Sequence, residues 1–147
     1  MNILNETTIT FESRSSNESF ARSAVAAFVS QLDPTVSEVS DIKTAVSEAV
    51  TNCVVHAYQN TYGKIKIHVR ILPENTVSIK ISDKGCGIED IHKAMEPLYT
   101  TSPQEERAGL GFAVMQSFCD AVSVRSKVGK GTTVTLCKKL SPRYRND

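Results

Sequence analysis

The stretch Asp41–Tyr58, DIKTAVSEAVTNCVVHAY, constrains the fold of this chain more than any other. Ile42, Val46, Ala49, Val50, Cys53 and Ala57 recur at three- and four-residue steps and predict a helix with one apolar stripe. Glu48, Asn52 and His56 follow one another at i, i+4 and i+8, stacked on a different face. A carboxylate and a carboxamide stacked in this way can serve as base and metal ligand, or can simply hydrogen-bond at a helix surface. Spacing alone favours the second use, because polar residues off an apolar stripe ordinarily face water. The decision rests on what lies downstream.

A length of 147 residues suits a single domain with a core that needs neither disulfides nor a structural metal. Charged residues make up 22% of the chain and the net charge is +1, so no global field draws it to nucleic acid or to a membrane. There is no basic-then-apolar leader and no apolar run of membrane-spanning length, and the expected location is the cytoplasm. Cys53, Cys86, Cys119 and Cys137 form no C-x-x-C pair and are expected as free thiols. His56, His68 and His92 have no metal-site spacing with them, so a zinc site is not predicted.

Thr7–Ser13 alternates weakly and reads as a short strand. Ser15 and Glu18 have capping-box spacing ahead of a helix from about Ser16 to Leu32, with Phe20, Ala24, Val25, Phe28 and Leu32 on its apolar face. Arg22 falls about 200° from Phe20 on that helix, on its solvated side. Asp33-Pro34 separates it from the next helix, whose start repeats the capping box at Thr35 and Glu38 and which continues through the opening stretch to about Tyr58. Asn60–Gly63 is a turn. Ile65, Ile67, Val69 and Ile71 alternate with Lys66, His68 and Arg70, a half-buried strand whose basic face, His68 included, is expected to meet solvent. After a turn at Pro73–Asn75, Val77, Ile79 and Ile81 alternate again, and parity makes Asp83 the next inward residue. A carboxylate at the end of a buried face is costly unless hydrogen-bond donors meet it.

Gly85 and Gly87 in DKGCGI permit a tight turn and close backbone approach. A short helix is expected at Asp90–Ala94. Glu96–Ala108 has two prolines and no apolar period, and reads as a lid-like loop. Gly109-Leu110-Gly111 opens a helix carrying Val114, Met115 and Phe118, and free N–H groups at such a start suit phosphate. Val122 and Val124 begin a strand, Gly129–Gly131 turns it, and Val134 and Leu136 close the sheet. Thr132 shares their parity and so faces the side that Asp83 faces. The tail SPRYRND is polar and expected to be loose.

Glu48 with Asn52 on a helix, Asp83 in DKGCG, GLG at a helix start and GKGT before a last strand come in the order of the N, G1, G2 and G3 boxes of the GHKL (Bergerat-fold) ATP-binding superfamily, and the chain resembles that superfamily. With no histidine-bearing dimerisation helix and no transducer domain in view, it is most similar to the anti-sigma serine-kinase branch. NESFARSAVAAFVSQLDPT and EAVTNCVVHAY carry that likeness. Ser102 stands where a basic lid residue is expected, and Glu89 where proline is common.

The resemblance implies an α+β two-layer sandwich, with helices on one face of a mixed, mostly antiparallel sheet. It implies ATP or ADP with Mg²⁺ as cofactors, the cation held by Asn52. Asp83 would accept from the adenine amino group and Thr132 would complete that contact. Gly85, Gly87, Thr100, Thr101, Gly109, Leu110 and Gly111 would surround the nucleotide, Arg107 would approach its terminal phosphate, and Glu48 would act as general base. The branch binds and inhibits a sporulation sigma factor and phosphorylates a serine on its anti-anti-sigma antagonist, as a homodimer that touches neither nucleic acid nor membrane. Arg22 would be its partner-contacting arginine. A kinase for a general-stress sigma factor and a nucleotide-dependent binding module without turnover are the alternatives.

Overall fold

A computed structural model describes residues 2–59, 61–95 and 111–142. The strands are β1 (Asn5–Glu12), β2 (Lys64–Leu72), β3 (Thr76–Asp83), β4 (Ala121–Lys127) and β5 (Gly131–Lys139). They form one sheet in the order β1-β2-β3-β5-β4. Every pairing is antiparallel, so the sheet expected to be mixed contains no parallel pair among the described residues. Alternation sorts its two faces: Ile65, Ile67, Val69, Ile71, Val77, Ile79, Ile81, Val134 and Leu136 are buried on one. On the other, His68 is half-buried and not simply solvated, because its Nε2 meets Glu6 Oε1 on β1 at 2.6 Å.

The helices are α1 (Asn17–Val29), α2 (Val36–Asn52), α3 (Ile91–Met95) and α4 (Phe112–Phe118). A 3₁₀ turn, Ser30–Leu32, extends α1, and left-handed Asp33 (φ 52°) breaks the chain before Pro34. α2 packs against both α1 and α4, and one hydrophobic cluster joins their inner faces to the sheet. The α+β two-layer architecture is therefore as expected. No helix among the described residues is long and apolar enough to cross a membrane.

The two capping boxes with identical spacing behave differently. Thr35 is extended (φ −68°, ψ 162°); its Oγ1 accepts from Glu38 N at 3.1 Å, and its own N–H donates to Glu38 Oε1 at 2.9 Å. At the start of α1 the cap position is Ser16, whose backbone is already helical (φ −63°, ψ −21°), and no side chain caps it. Glu18 bonds Arg22 at 2.7 Å instead. The stripe of α1 is also rotated from the expected one. Ala21, Val25 and Val29 are buried, whereas Phe20 is 52% exposed and stands edge-on to Phe11 with ring centroids 6.0 Å apart. Just before the tail Leu140 is buried, and the tail's first residue is tied, Ser141 N donating to Glu38 Oε2 at 2.8 Å; residues 143–147 lie outside the described residues.

On α2 the buried set is Ile42, Ala45, Val46, Ala49 and Val50, as the periodicity predicts apart from the added Ala45. The helix does not run unchanged to Tyr58. At Cys53 the backbone N–H is shared between Ala49 O and Val50 O, and Cys53–Ala57 forms a π-helical turn. Such a widened turn shifts the register of everything that follows it.

Candidate functional site

Asp83 is the last residue of β3, opposite Ile65 on β2 and Thr132 on β5. It is 9% exposed, on the inward side that parity predicts. Its Oδ1 accepts from Gly85 N at 2.9 Å and from Thr132 N at 3.2 Å, and its Oδ2 accepts from Cys53 Sγ at 3.4 Å. Three donors thus offset the desolvation of a carboxylate. Beside it, Ser126 Oγ donates to Gly131 O at 3.0 Å and accepts from Ile88 N at 2.7 Å. With that single proton committed, Thr132 Oγ1 donates to Ser126 at 2.8 Å and keeps its lone pairs for other partners.

The DKGCG loop is stitched to the π turn on one side and to the β4–β5 turn on the other. Cys86 N donates to Ala57 O at 2.9 Å, and Gly129 N donates to Cys86 O at 2.8 Å. A Cβ on Gly85 would collide with the Ala57 carbonyl, and one on Gly131 (φ 111°) with the backbone of Asp83. Tyr58 closes this corner: its hydroxyl donates to Lys64 O at 2.6 Å and accepts from Lys84 N at 2.7 Å.

These elements line a cavity of about 230 Å³ whose lining includes Asn52 from the end of α2, His56 from the π turn, Asp83, Gly87, Thr132 and Phe112. Glu48, one turn before Asn52, opens elsewhere. It lines a groove of about 640 Å³ between α1 and α2, with Glu18, Arg22, Lys43 and Ser47. The stack read as a single face therefore serves two openings. Glu48 also lies against the start of α4: Gly111 is left-handed (φ 65°), and a Cβ there would collide with Glu48 Oε2. Partial burial raises the Glu48 carboxyl above its ordinary value. Across the groove, hydrogen bonds from Ser47 and Arg22 hold the Glu18 carboxyl below its ordinary value, against the opposing effect of burial.

The structure thus brings Asn52, Asp83, Gly87 and Thr132 to one cavity, and Glu48 and Arg22 to a second opening, with Gly111 against Glu48. Gly85 sits behind the cavity, packed on Ala57. Thr100, Thr101, Arg107, Gly109, Leu110 and the expected lid Glu96–Ala108 lie outside the described residues. Among the described residues no group of three His, Cys, Asp or Glu could cage a metal. Sequence reasoning missed Ser126, although its parity with Val122 and Val124 was a usable signal. It also missed Phe112, and it read Cys53 only as a stripe residue.

Residues 11–138 match the family described as Histidine kinase-like ATPase domain. The Anti-sigma F factor of Caldanaerobacter subterraneus subsp. tengcongensis is 58% identical over 130 residues, which cover 88% of this chain and 90% of that one. The Anti-sigma F factor of Thermoanaerobacter sp. is 55% identical over 140 residues, 95% of this chain and 97% of that one. Among solved structures, the RsbU and RsbW domains of Rv1364c from Mycobacterium tuberculosis superpose with a TM-score of 0.69 at 20% identity, covering 97% of this chain and 34% of that one. A histidine kinase domain from Erythrobacter litoralis gives 0.56 at 18% identity, covering 81% of this chain and 59% of that one. The two structural likenesses bear on the fold alone.

Proposed function

Because the chain belongs to the anti-sigma F factor family and carries its histidine kinase-like ATPase domain, we propose that it is a protein-serine kinase that binds and inhibits a sporulation sigma factor and phosphorylates a serine on the anti-anti-sigma antagonist. The proposal includes a cytoplasmic homodimer. The observation that carries the kinase reading is the position of Glu48, whose carboxylate abuts Gly111 while it lines the groove that holds Arg22. A base so placed can reach a nucleotide's terminal phosphate region from one side and a protein hydroxyl from the other.

In this reading the adenine enters the cavity beside Asp83, whose carboxylate accepts from the amino group while Thr132 offers a second contact. By family resemblance, Gly109 and Gly111, with Leu110, Thr100 and Thr101, would contact the phosphates, and Arg107 would neutralise the terminal one. Asn52 would hold Mg²⁺, which would supply charge neutralisation to the phosphates. A single carboxamide facing a cavity fits a cation that takes its remaining ligands from phosphate and water. The serine Oγ forms a bond to the γ-phosphorus, the bond to the bridging oxygen of ADP breaks, and Glu48 takes the hydroxyl proton. The raised carboxyl of Glu48 makes it a stronger base than an exposed glutamate.

The test is incubation with radiolabelled ATP and purified anti-anti-sigma protein, followed by phosphoamino-acid analysis. Labelled phosphoserine is expected. A protein that binds ADP and sigma factor yet transfers no label would instead be a nucleotide-dependent binding module, and recovery of a general-stress sigma factor from extract would redirect the partner.

A further inference from the structure

Cys53 combines three features that its place on an apolar stripe does not require. It is the first residue of the π turn, it is 4% exposed, and its Sγ donates to Asp83 Oδ2 at 3.4 Å while both residues line the cavity. The other oxygen of Asp83 is already taken by two backbone N–H groups, from Gly85 and Thr132. Oδ2 is therefore the oxygen left for a ligand in the cavity, and the thiol is what holds it.

We propose that Cys53 is a positioning residue for nucleotide recognition, its thiol orienting Asp83 Oδ2 toward the exocyclic amino group of an adenine base. The inference rests on the nucleotide reading given above. A thiol is a weak donor, so it can direct the oxygen without consuming its capacity to accept. A hydroxyl there would compete more strongly for the same lone pair, and a methyl would remove the thiol donor from Oδ2 and leave the carboxylate held at Oδ1 by the two backbone N–H groups. Burial, and then the Asp83 charge, push the Cys53 thiol well above its ordinary value, so it stays protonated and a donor through neutral pH.

The experiment compares binding of ADP and of purine riboside diphosphate, which lacks the amino group, to wild type, Cys53→Ala and Cys53→Ser. Cys53→Ala should lose about 3–10-fold in ADP affinity, and little for the analogue, so that the preference for the amino group shrinks. Cys53→Ser should restore part of it. A packing role would weaken both ligands equally, and that result would overturn the inference. Should the alanine variant fail to fold, the wild-type S–H stretching band, assigned by its loss in Cys53→Ser, carries the test. ADP should shift this band and the analogue should not; a band unmoved by ADP would overturn the inference. A wild type that binds neither nucleotide would instead overturn the underlying reading.

Discussion

Around Asp83, both carboxylate oxygens are hydrogen-bonded, two of the three donors are backbone N–H groups, and glycines at 85 and 131 bring main chain to within what a Cβ would forbid. Around Arg22 the strong contact among the described residues is an ion pair within a single helix, 2.7 Å to Glu18, with side chains 39% and 23% exposed. The first region is assembled before any ligand arrives; the second can be rearranged by whatever docks on it. A partly exposed i,i+4 pair of this kind contributes roughly 0–1 kcal/mol, so a partner can displace it at little cost. Helix α2 and its π turn serve both, presenting Asn52 and Cys53 to the cavity and Ser47 and Glu48 to the groove. A rigid site suits a small ligand of constant shape, and a yielding one suits exchangeable protein partners.

The largest expected effect breaks the link between the two regions. Glu48→Gln preserves the contact with Gly111 but cannot accept a proton. Single-turnover transfer from ATP to the anti-anti-sigma protein should slow by about 10²–10⁴-fold, with ATP affinity nearly unchanged. Wild-type turnover would move the base elsewhere.

A charge reversal sharpens the contrast from the groove side. Arg22→Glu puts a second carboxylate beside Glu18, and affinity for sigma factor and for the antagonist should fall roughly 10-fold, a loss of the size of one interface anchor. ADP affinity should stay as it was, because Arg22 does not line the cavity. Loss of ADP binding in this variant would mean that the two regions are not separable.

The pH dependence of transfer probes Glu48 more gently. Only the ionised carboxylate can take the proton, so turnover should fall as pH is lowered through its pKa. Because burial raises that carboxyl, the acid limb should lie above the ordinary glutamate value of 4.5. Glu48→Gln should show no such limb in a stopped-flow or quench-flow profile.

The smallest effect falls at the edge of the groove, between its lining residues Pro34 and Val36. Thr35→Ala removes one side of the capping box at the start of α2 and should cost about 1 kcal/mol, a few degrees in melting temperature. Nucleotide affinity and partner binding should be unaltered. A change in either would show that the start of α2 is coupled to its functional end.

The fold was legible where one periodicity acted alone. The stripe of α2 and the alternation of β2 and β3 predicted the buried residues directly, and parity carried through to Asp83 and Thr132. Legibility failed where a backbone angle decided. Ser15–Glu18 and Thr35–Glu38 have the same spacing, yet only the extended backbone at Thr35 lets the cap form. Phe20 illustrates a second kind of loss: small Ala21 allows closer helix packing than phenylalanine does, so the helix turns and the aromatic ring settles on Phe11. The π turn left no periodic trace, and the division of Glu48 from Asn52 was no more legible, because residues four apart on one regular helix can still line different openings.

The central claim is that the cavity beside Asp83 is the nucleotide site, and calorimetry on Asp83→Asn tests it most directly. Near-UV circular dichroism and thermal melting should show a folded variant. An amide there is a poorer partner for an amino group than a carboxylate is, and a hydrogen bond to a charged group is worth about 1.5–3 kcal/mol. The account predicts that ADP binding to the folded variant weakens by at least roughly 10-fold, toward undetectable heat. Undiminished ADP binding to a folded Asp83→Asn protein would contradict it.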